Sequence, residues 1–136
     1  MGFRLSLLIW VGAVLFNTIL FVLFVMSMQG HPEELLLIIV AALAITAIGT
    51  LPALFLLWAV VSVCARLNLE GQKAILIVLM SSIVFAALEY FGIMAFYSID
   101  ALGYSSTLFI GMVATTLSVL FRYKALENFF SSYSNE

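Results

Sequence analysis

The chain has 136 residues, enough for one domain, and 65 % of them are hydrophobic while only 9 % are charged. A soluble globular domain is about 45–50 % apolar and about 25 % charged, and a domain of this size could not hide so much apolar side chain from water. The composition therefore excludes a soluble domain. The net charge of −2 offers no basic surface, so we expect no direct nucleic acid binding.

Charged residues divide the chain into four apolar stretches, each as long as the about 20 residues that cross a bilayer as a helix. Such segments must be helical, because four strands cannot close a barrel and an open sheet edge leaves backbone groups unpaired in lipid. Short connections make neighbouring helices antiparallel. We therefore predict an all-α integral membrane protein, a four-transmembrane-helix up-down-up-down bundle over residues 1–121, with spans at about 5–28, 35–64, 74–97 and 102–121.

The first two predicted spans carry polar residues at similar depth. Asn17 lies roughly 18 Å into the first span, and Thr46 lies at a comparable depth on the second. An amide in this position is typical of an interhelical hydrogen bond, and a ligand site is the alternative. The second span also contains Pro52, which removes a backbone hydrogen bond and predicts a kink.

Glu89 interrupts the third predicted span, roughly 22 Å from its cytoplasmic edge. An ionised carboxylate at such depth costs at least about 2.5–3.5 kcal/mol. Glu89 should therefore face the bundle interior, hold a proton or meet a hydrogen-bond donor. Ser82, seven residues earlier, shares its helix face. Two interpretations stay open, a proton- or cation-linked site and a polar contact that joins helices.

Small residues recur at four-residue spacing on the second and fourth predicted spans, which lets helix backbones approach closely. They are Gly49, Ala53, Thr107, Gly111 and Thr115. This pattern serves either packing within one bundle or contact between copies. We expect a homo-oligomer with the second or fourth span at its interface.

Residues 122–136 form a short amphipathic tail after the fourth predicted span. Its apolar residues recur on one face of a helix, and they are Leu126, Phe129, Phe130 and Tyr133. This face lies either on the lipid surface or in the groove of a cytosolic partner protein that docks on it.

All five Lys and Arg residues lie at the N-terminus, between the second and third spans, or after the fourth. The positive-inside rule then places both termini in the cytoplasm of a multi-pass cell membrane protein. The bacterial inner membrane is the expected location. Interface anchors are predicted near the cytoplasmic side at Trp10 and Trp58 and near the outer side at Tyr97 and Tyr104.

The sequence contains no recognisable catalytic motif. His31 stands beside two glutamates, too few ligands for a structural zinc site, and Glu89 is the only charged residue within the spans. We expect no enzyme activity, no metal and no cofactor. The preferred function is a non-catalytic membrane subunit that self-associates and couples to a cytosolic or membrane partner. Small bacterial immunity and phage-defence membrane subunits have a similar size and shape, an analogy of architecture alone. The alternative is a homo-oligomeric ion channel or a proton-linked carrier that uses Glu89.

Overall fold

The computed structural model of the chain describes residues 2–29, 35–97 and 105–134. Within these ranges the chain is all-helical, as the sequence predicts, and contains no strand. The six helices of these ranges are α1 Gly2–Gln29, α2 Leu35–Gly49, α3 Leu51–Arg66, α4 Gly71–Tyr97, α5 Ser105–Phe121 and α6 Tyr123–Ser134.

Two helices are long and apolar enough to cross a membrane by themselves, over Gly2–Ser27 in α1 and Gly71–Gly92 in α4. The pair α2 and α3 passes the same test together and is bent by 48° at its junction. The pair α5 and α6 also passes, with a bend of 56°. The part of the chain that the structure describes thus offers two spans, or up to four when each bent pair counts as one. These helices support a membrane protein.

Pro52 lies in the first turn of α3, directly after the junction with α2. A proline there has no N–H to donate, so the carbonyl of Ile48, four residues earlier, has no helical partner. The predicted kink at Pro52 is confirmed as the 48° bend between the two helices. The bend places an interrupted backbone in the middle of an apolar segment.

The helices form a ring in which α1 packs on α5, on α2 and on α3, while α4 packs on α3 and α5. The second helix lies at the periphery of this ring and has no buried residue. Among the described residues, α2 and α4 make at most marginal contact. The ring of helices therefore has a gap in its packing, between α2 and α4.

The buried core lies where α1 and α4 begin, where α3 and α5 end, and where α6 packs. It includes Leu5, Val61, Val78, Val119, Leu126 and Phe130. The five Lys and Arg residues of the chain belong to the same helix ends, and we call this side of the molecule the basic end. Close packing at the basic end leaves the looser half of the bundle around the α2–α3 junction.

A close contact joins α1 to α5. The Ser118 hydroxyl donates a hydrogen bond to the Ile9 carbonyl at 2.5 Å. Gly12 lies opposite the same serine, and a methyl group at this glycine would overlap the Ser118 side chain. The absence of a side chain at Gly12 therefore allows the two backbones to approach closely enough for an interhelical hydrogen bond.

Candidate functional site

A cavity of about 260 Å³ lies between α1, the α2–α3 junction, α4 and α5. Its wall is mostly apolar, as is usual for small-molecule sites, with a few side chains that supply polar atoms. The four intramembrane polar residues singled out from the sequence all lie on this wall: Asn17, Thr46, Ser82 and Glu89. The fold therefore brings together residues that the sequence places on three separate spans.

Glu89 connects α4 to the broken end of α3. Its Oε1 accepts a hydrogen bond from the backbone N–H of Ala53 at 3.2 Å. This N–H belongs to the first turn of α3, where a helix has no internal acceptor for it. The second oxygen, Oε2, has no hydrogen-bond partner among the described residues. In these residues, every polar side-chain atom that lacks a partner is at least partly exposed. Oε2 is therefore accessible, and Glu89 lines the cavity.

Trp10 holds the other side of the junction. Its Nε1 donates to the Thr50 carbonyl at 3.0 Å and to the Thr50 hydroxyl at 2.9 Å. The prediction that Trp10 is an interface anchor is wrong, because its indole N–H donates to Thr50 at the helix break inside the bundle. Trp58 is exposed and packs edge-on against Phe3, with ring centroids 5.8 Å apart.

The side chains of Tyr97 and Tyr104, the predicted anchors on the outer side, lie outside the described residues. So does His31. Their predicted positions stay predictions.

Asn17 and Thr46 form the interhelical amide hydrogen bond that the sequence suggests. The Asn17 Nδ2 donates to the Thr46 hydroxyl oxygen at 3.1 Å. The Asn17 Oδ1 points towards α5, because a methyl group built on Gly111 would lie 3.9 Å from it. This oxygen is an acceptor on the cavity wall, opposite the backbone that the glycine exposes.

Three hydroxyl groups on the wall are already committed as donors. Each donates to the carbonyl four residues earlier in the chain, at 2.6, 2.7 and 2.8 Å; they belong to Ser82, Thr50 and Thr115. A hydroxyl that has donated its one proton offers only acceptor lone pairs to anything else. These three hydroxyl groups therefore face a ligand as acceptors only.

The small residues of the second and fourth predicted spans also line the cavity: Gly49, Ala53, Thr107, Gly111 and Thr115. The sequence left packing within the bundle and contact between copies as alternatives for these residues. In the structure their small side chains leave space inside one chain. They thus give no separate support to an interface between copies.

The tail residues have a different place from the one that the sequence suggested. Leu126, Phe129 and Phe130 are only 0 %, 7 % and 1 % exposed, and they are part of the core at the basic end. The 56° bend after α5 turns α6 beneath the bundle, where it packs mainly on α4. The face predicted to meet lipid or a docking partner is thus covered by the chain itself. The Tyr133 side chain lies outside the described residues.

Of the charged side chains in the part of the chain that the structure describes, only Glu89 lines the cavity. Among the described residues, no group of three His, Cys, Asp or Glu side chains is placed to hold a metal ion. The described part of the site thus has one carboxyl group, one amide, several hydroxyl groups, the phenol of Tyr90 and an indole, set in an apolar wall.

Compared with protein-family models, with curated proteins and with solved structures, the chain has no significant match in any of the three.

Proposed function

We propose that this chain is a four-span membrane protein with both termini in the cytoplasm, and that it is a proton- or cation-linked carrier whose ligand site is the cavity around Glu89. The observation that carries the proposal is the position of this carboxyl group. One oxygen accepts a hydrogen bond from the backbone at a helix break, the other is accessible, and the residue lines an apolar cavity.

The proposed topology counts α2 with α3 as one bent span and α5 as the fourth. It is supported by the distribution of charge, because all five Lys and Arg belong to the basic end. The positive-inside rule assigns such an end to the cytoplasm. The cavity then lies in the half of the bilayer away from the cytoplasm, around the α2–α3 junction.

The coupling between proton binding and cation binding follows from the free-energy cost of an unpaired charge in lipid. An ionised Glu89 without a counter-charge costs at least about 2.5–3.5 kcal/mol at such depth. A proton on Oε2 removes this charge, and a bound cation compensates it. Both occupy the same oxygen, so binding one displaces the other. One carboxyl group therefore exchanges one proton for one positive charge on the ligand.

The helix break supplies a place for the movement that a carrier needs. Pro52 cannot donate, and the Ala53 N–H bonds to Glu89 rather than to its own helix. The second span can change its bend at this point with little loss of backbone hydrogen bonding. Interrupted helices at membrane depth are tolerated where they line a cavity, and in carriers they hold the site that both sides of the membrane reach in turn.

Proton flux in proteoliposomes tests the proposal. Vesicles that contain the purified protein and a trapped pH dye receive outward gradients of ethylammonium, benzylammonium and octylammonium, with acetate and benzoate as anionic controls. We expect at least one ammonium ion to drive proton movement in the native protein. Empty vesicles subtract the passive flux of the free amines.

Two variants make this test specific. Glu89→Gln keeps the shape of the side chain and removes its proton, so the coupled flux should disappear. Glu127→Gln removes a carboxyl group of α6 at the basic end, outside the cavity, and should leave the flux intact. The carrier proposal fails if no ammonium ion moves protons, or if Glu89→Gln behaves like the native protein.

The tail does not contribute to this proposal. A partner-coupled subunit was the preferred function from the sequence because the amphipathic tail offered an apolar face. That face is covered within the chain, and we therefore argue the function from the cavity.

A further inference from the structure

The cavity lies beside a gap in the packing between α2 and α4. Ile45 lines the cavity and is nevertheless 69 % exposed, so it stands at the rim. Gly92 is not among the lining residues, but it shares a face of α4 with the lining residue Phe85, two helical turns away. A side chain built on Gly92 would meet nothing within 4 Å. These two helices make at most marginal contact among the described residues. We call the opening bounded by Ile45 and Gly92 the side mouth.

In the proposed four-span topology the side mouth faces the hydrocarbon of the bilayer. Ile45 lies ten residues into α2, about 15 Å from the start of that helix. Gly92 falls within the apolar segment Gly71–Gly92 that is long enough to cross a membrane. Whatever passes the side mouth must therefore already be dissolved in lipid.

The wall behind the side mouth suits a positive charge. Glu89 and Asn17 line the cavity and bring carboxyl and amide oxygens as acceptors, and no Lys, Arg or His of the described residues lines it. The last residue of α2, Gly49, also lines the cavity, and the last carbonyls of a helix carry its negative partial charge. An ammonium group, with its N–H donors and its charge, fits these acceptors.

We infer that the cavity takes a single-chain amphiphilic ammonium ion directly from the bilayer, through the side mouth between Ile45 and Gly92. This inference rests on the proposed function, since it uses the Glu89 cavity as the ligand site. About 260 Å³ is below the roughly 300–1,000 Å³ of drug-sized pockets. The cavity therefore holds the ammonium head and the first carbons, while the rest of the chain extends through the side mouth into lipid.

Quenching of Trp10 fluorescence tests the inference. The chain has two tryptophans; Trp10 lines the cavity and Trp58 is exposed outside it. In the Trp58→Phe protein, reconstituted in phosphatidylcholine nanodiscs, only Trp10 fluoresces. The probe is a six-carbon alkylammonium with bromine on its last carbon, because a bromine atom in contact with an indole quenches it. The matched neutral probe is the corresponding bromo-alcohol.

We expect saturable quenching by the ammonium probe, with a midpoint lower by about tenfold or more than that of the alcohol at equal membrane concentration, since hydrogen bonds to a charged group outweigh neutral ones. Glu89→Gln should bring the two midpoints together. Gly92→Phe, which fills the side mouth, should slow quenching by about tenfold or more, the factor for a barrier higher by about 1.4 kcal/mol. Val84→Phe is the control, because Val84 is exposed on α4 and does not line the cavity.

The contrary results are distinct. If neither probe quenches Trp10 saturably, the cavity is no ligand site and the proposed function fails with the inference. Equal midpoints for ammonium and alcohol would leave a binding site and overturn the charge preference. Unchanged quenching rates in Gly92→Phe would overturn the side mouth. If phosphatidylethanolamine added to the nanodisc competes with the probe, the ligand is a lipid headgroup and the single-chain assignment is wrong.

Discussion

The carboxyl group of Glu89 on α4 accepts a hydrogen bond, at 3.2 Å, from the backbone N–H of Ala53 in the first turn of α3. A side chain of one span thus caps the broken end of another. The break leaves an N–H without a helical acceptor, and the neighbouring helix supplies one. The same contact holds the carboxyl group at the cavity, so the stability of the junction and the chemistry of the site depend on one residue.

Replacing Glu89 separates these two roles. Glu89→Gln keeps a carbonyl acceptor for Ala53, so the free energy of unfolding should stay near that of the native protein. Glu89→Leu leaves the Ala53 N–H without a partner. This variant should have a free energy of unfolding lower by about 0.6–2 kcal/mol, the range of interhelical hydrogen bonds in membranes. Steric trapping in bicelles measures both. A Leu variant as stable as the Gln variant would show that the contact does not hold the junction.

The Asn17–Thr46 hydrogen bond should appear as a coupling energy. In a double-mutant cycle of Asn17→Ala and Thr46→Ala, we expect the two losses of unfolding free energy to be non-additive by about 0.6 kcal/mol and by no more than about 1.7 kcal/mol. Thr116 gives a control, since its hydroxyl donates within α5 to the Met112 carbonyl. Asn17→Ala and Thr116→Ala should add within about 0.3–0.5 kcal/mol.

The sequence predicts the features of this chain that lipid itself imposes. Uninterrupted apolar stretches must be helical in a bilayer, and a proline without an N–H must disturb its helix, so the class and the bend at Pro52 follow from residue types. The pairing of Glu89 with Ala53 does not follow from the sequence. It depends on how α4 is rotated against the break, which the packing of all the helices decides.

The prediction of an uncovered tail face was wrong for a related reason. The apolar face of α6 has the same residue spacing whether lipid, a partner or the chain itself covers it. The sequence therefore contains no pattern that distinguishes a buried Phe130 from an exposed one. The same ambiguity applies to Gly111, because a small residue equally lets a neighbouring helix approach or leaves a space unfilled. The prediction for Trp10 was wrong because it used the general tendency of tryptophans near the end of a span to lie at the membrane interface. A partner such as Thr50 cannot be found from spacing across different helices.

The contact of Gly12 with Ser118 should make the α1–α5 packing sensitive to a single methyl group. We expect Gly12→Ala to lower the free energy of unfolding by about 1–3 kcal/mol, as overpacking does. Adding Ser118→Ala removes the overlapping hydroxyl and should recover part of this loss, although it also ends the bond to Ile9. Gly92→Ala, in open space, should be close to neutral. Equal effects of Gly12→Ala and Gly92→Ala would contradict the close approach.

The proposed topology predicts which positions a membrane-impermeant maleimide can reach in intact cells. The native Cys64 is first replaced by Ala, and single cysteines are introduced at Glu34, Gln72 or Asn128. The cysteine at position 34 should react from outside, and the other two should react only after the membrane is opened. Labelling at position 72 in intact cells would overturn the orientation. Protection at position 34, with reaction only after lysis, would overturn the four-span count.

The burial of Phe130 predicts that the tail is part of the fold. Phe130 is 1 % exposed and packs in the core at the basic end, so Phe130→Ala should lower the free energy of unfolding by about 3–5 kcal/mol, as for other buried aromatic residues. Lys124→Ala, on the exposed side of α6, should change it by less than about 0.5 kcal/mol. Because a helix of two to three turns is marginal by itself in water, the loss of this contact should also free α6, and protease cleavage after Lys124 should become faster in the Phe130→Ala protein. A tail that lay on lipid would need only an apolar surface, and Phe130→Ala would then leave both the stability and the cleavage rate near their native values.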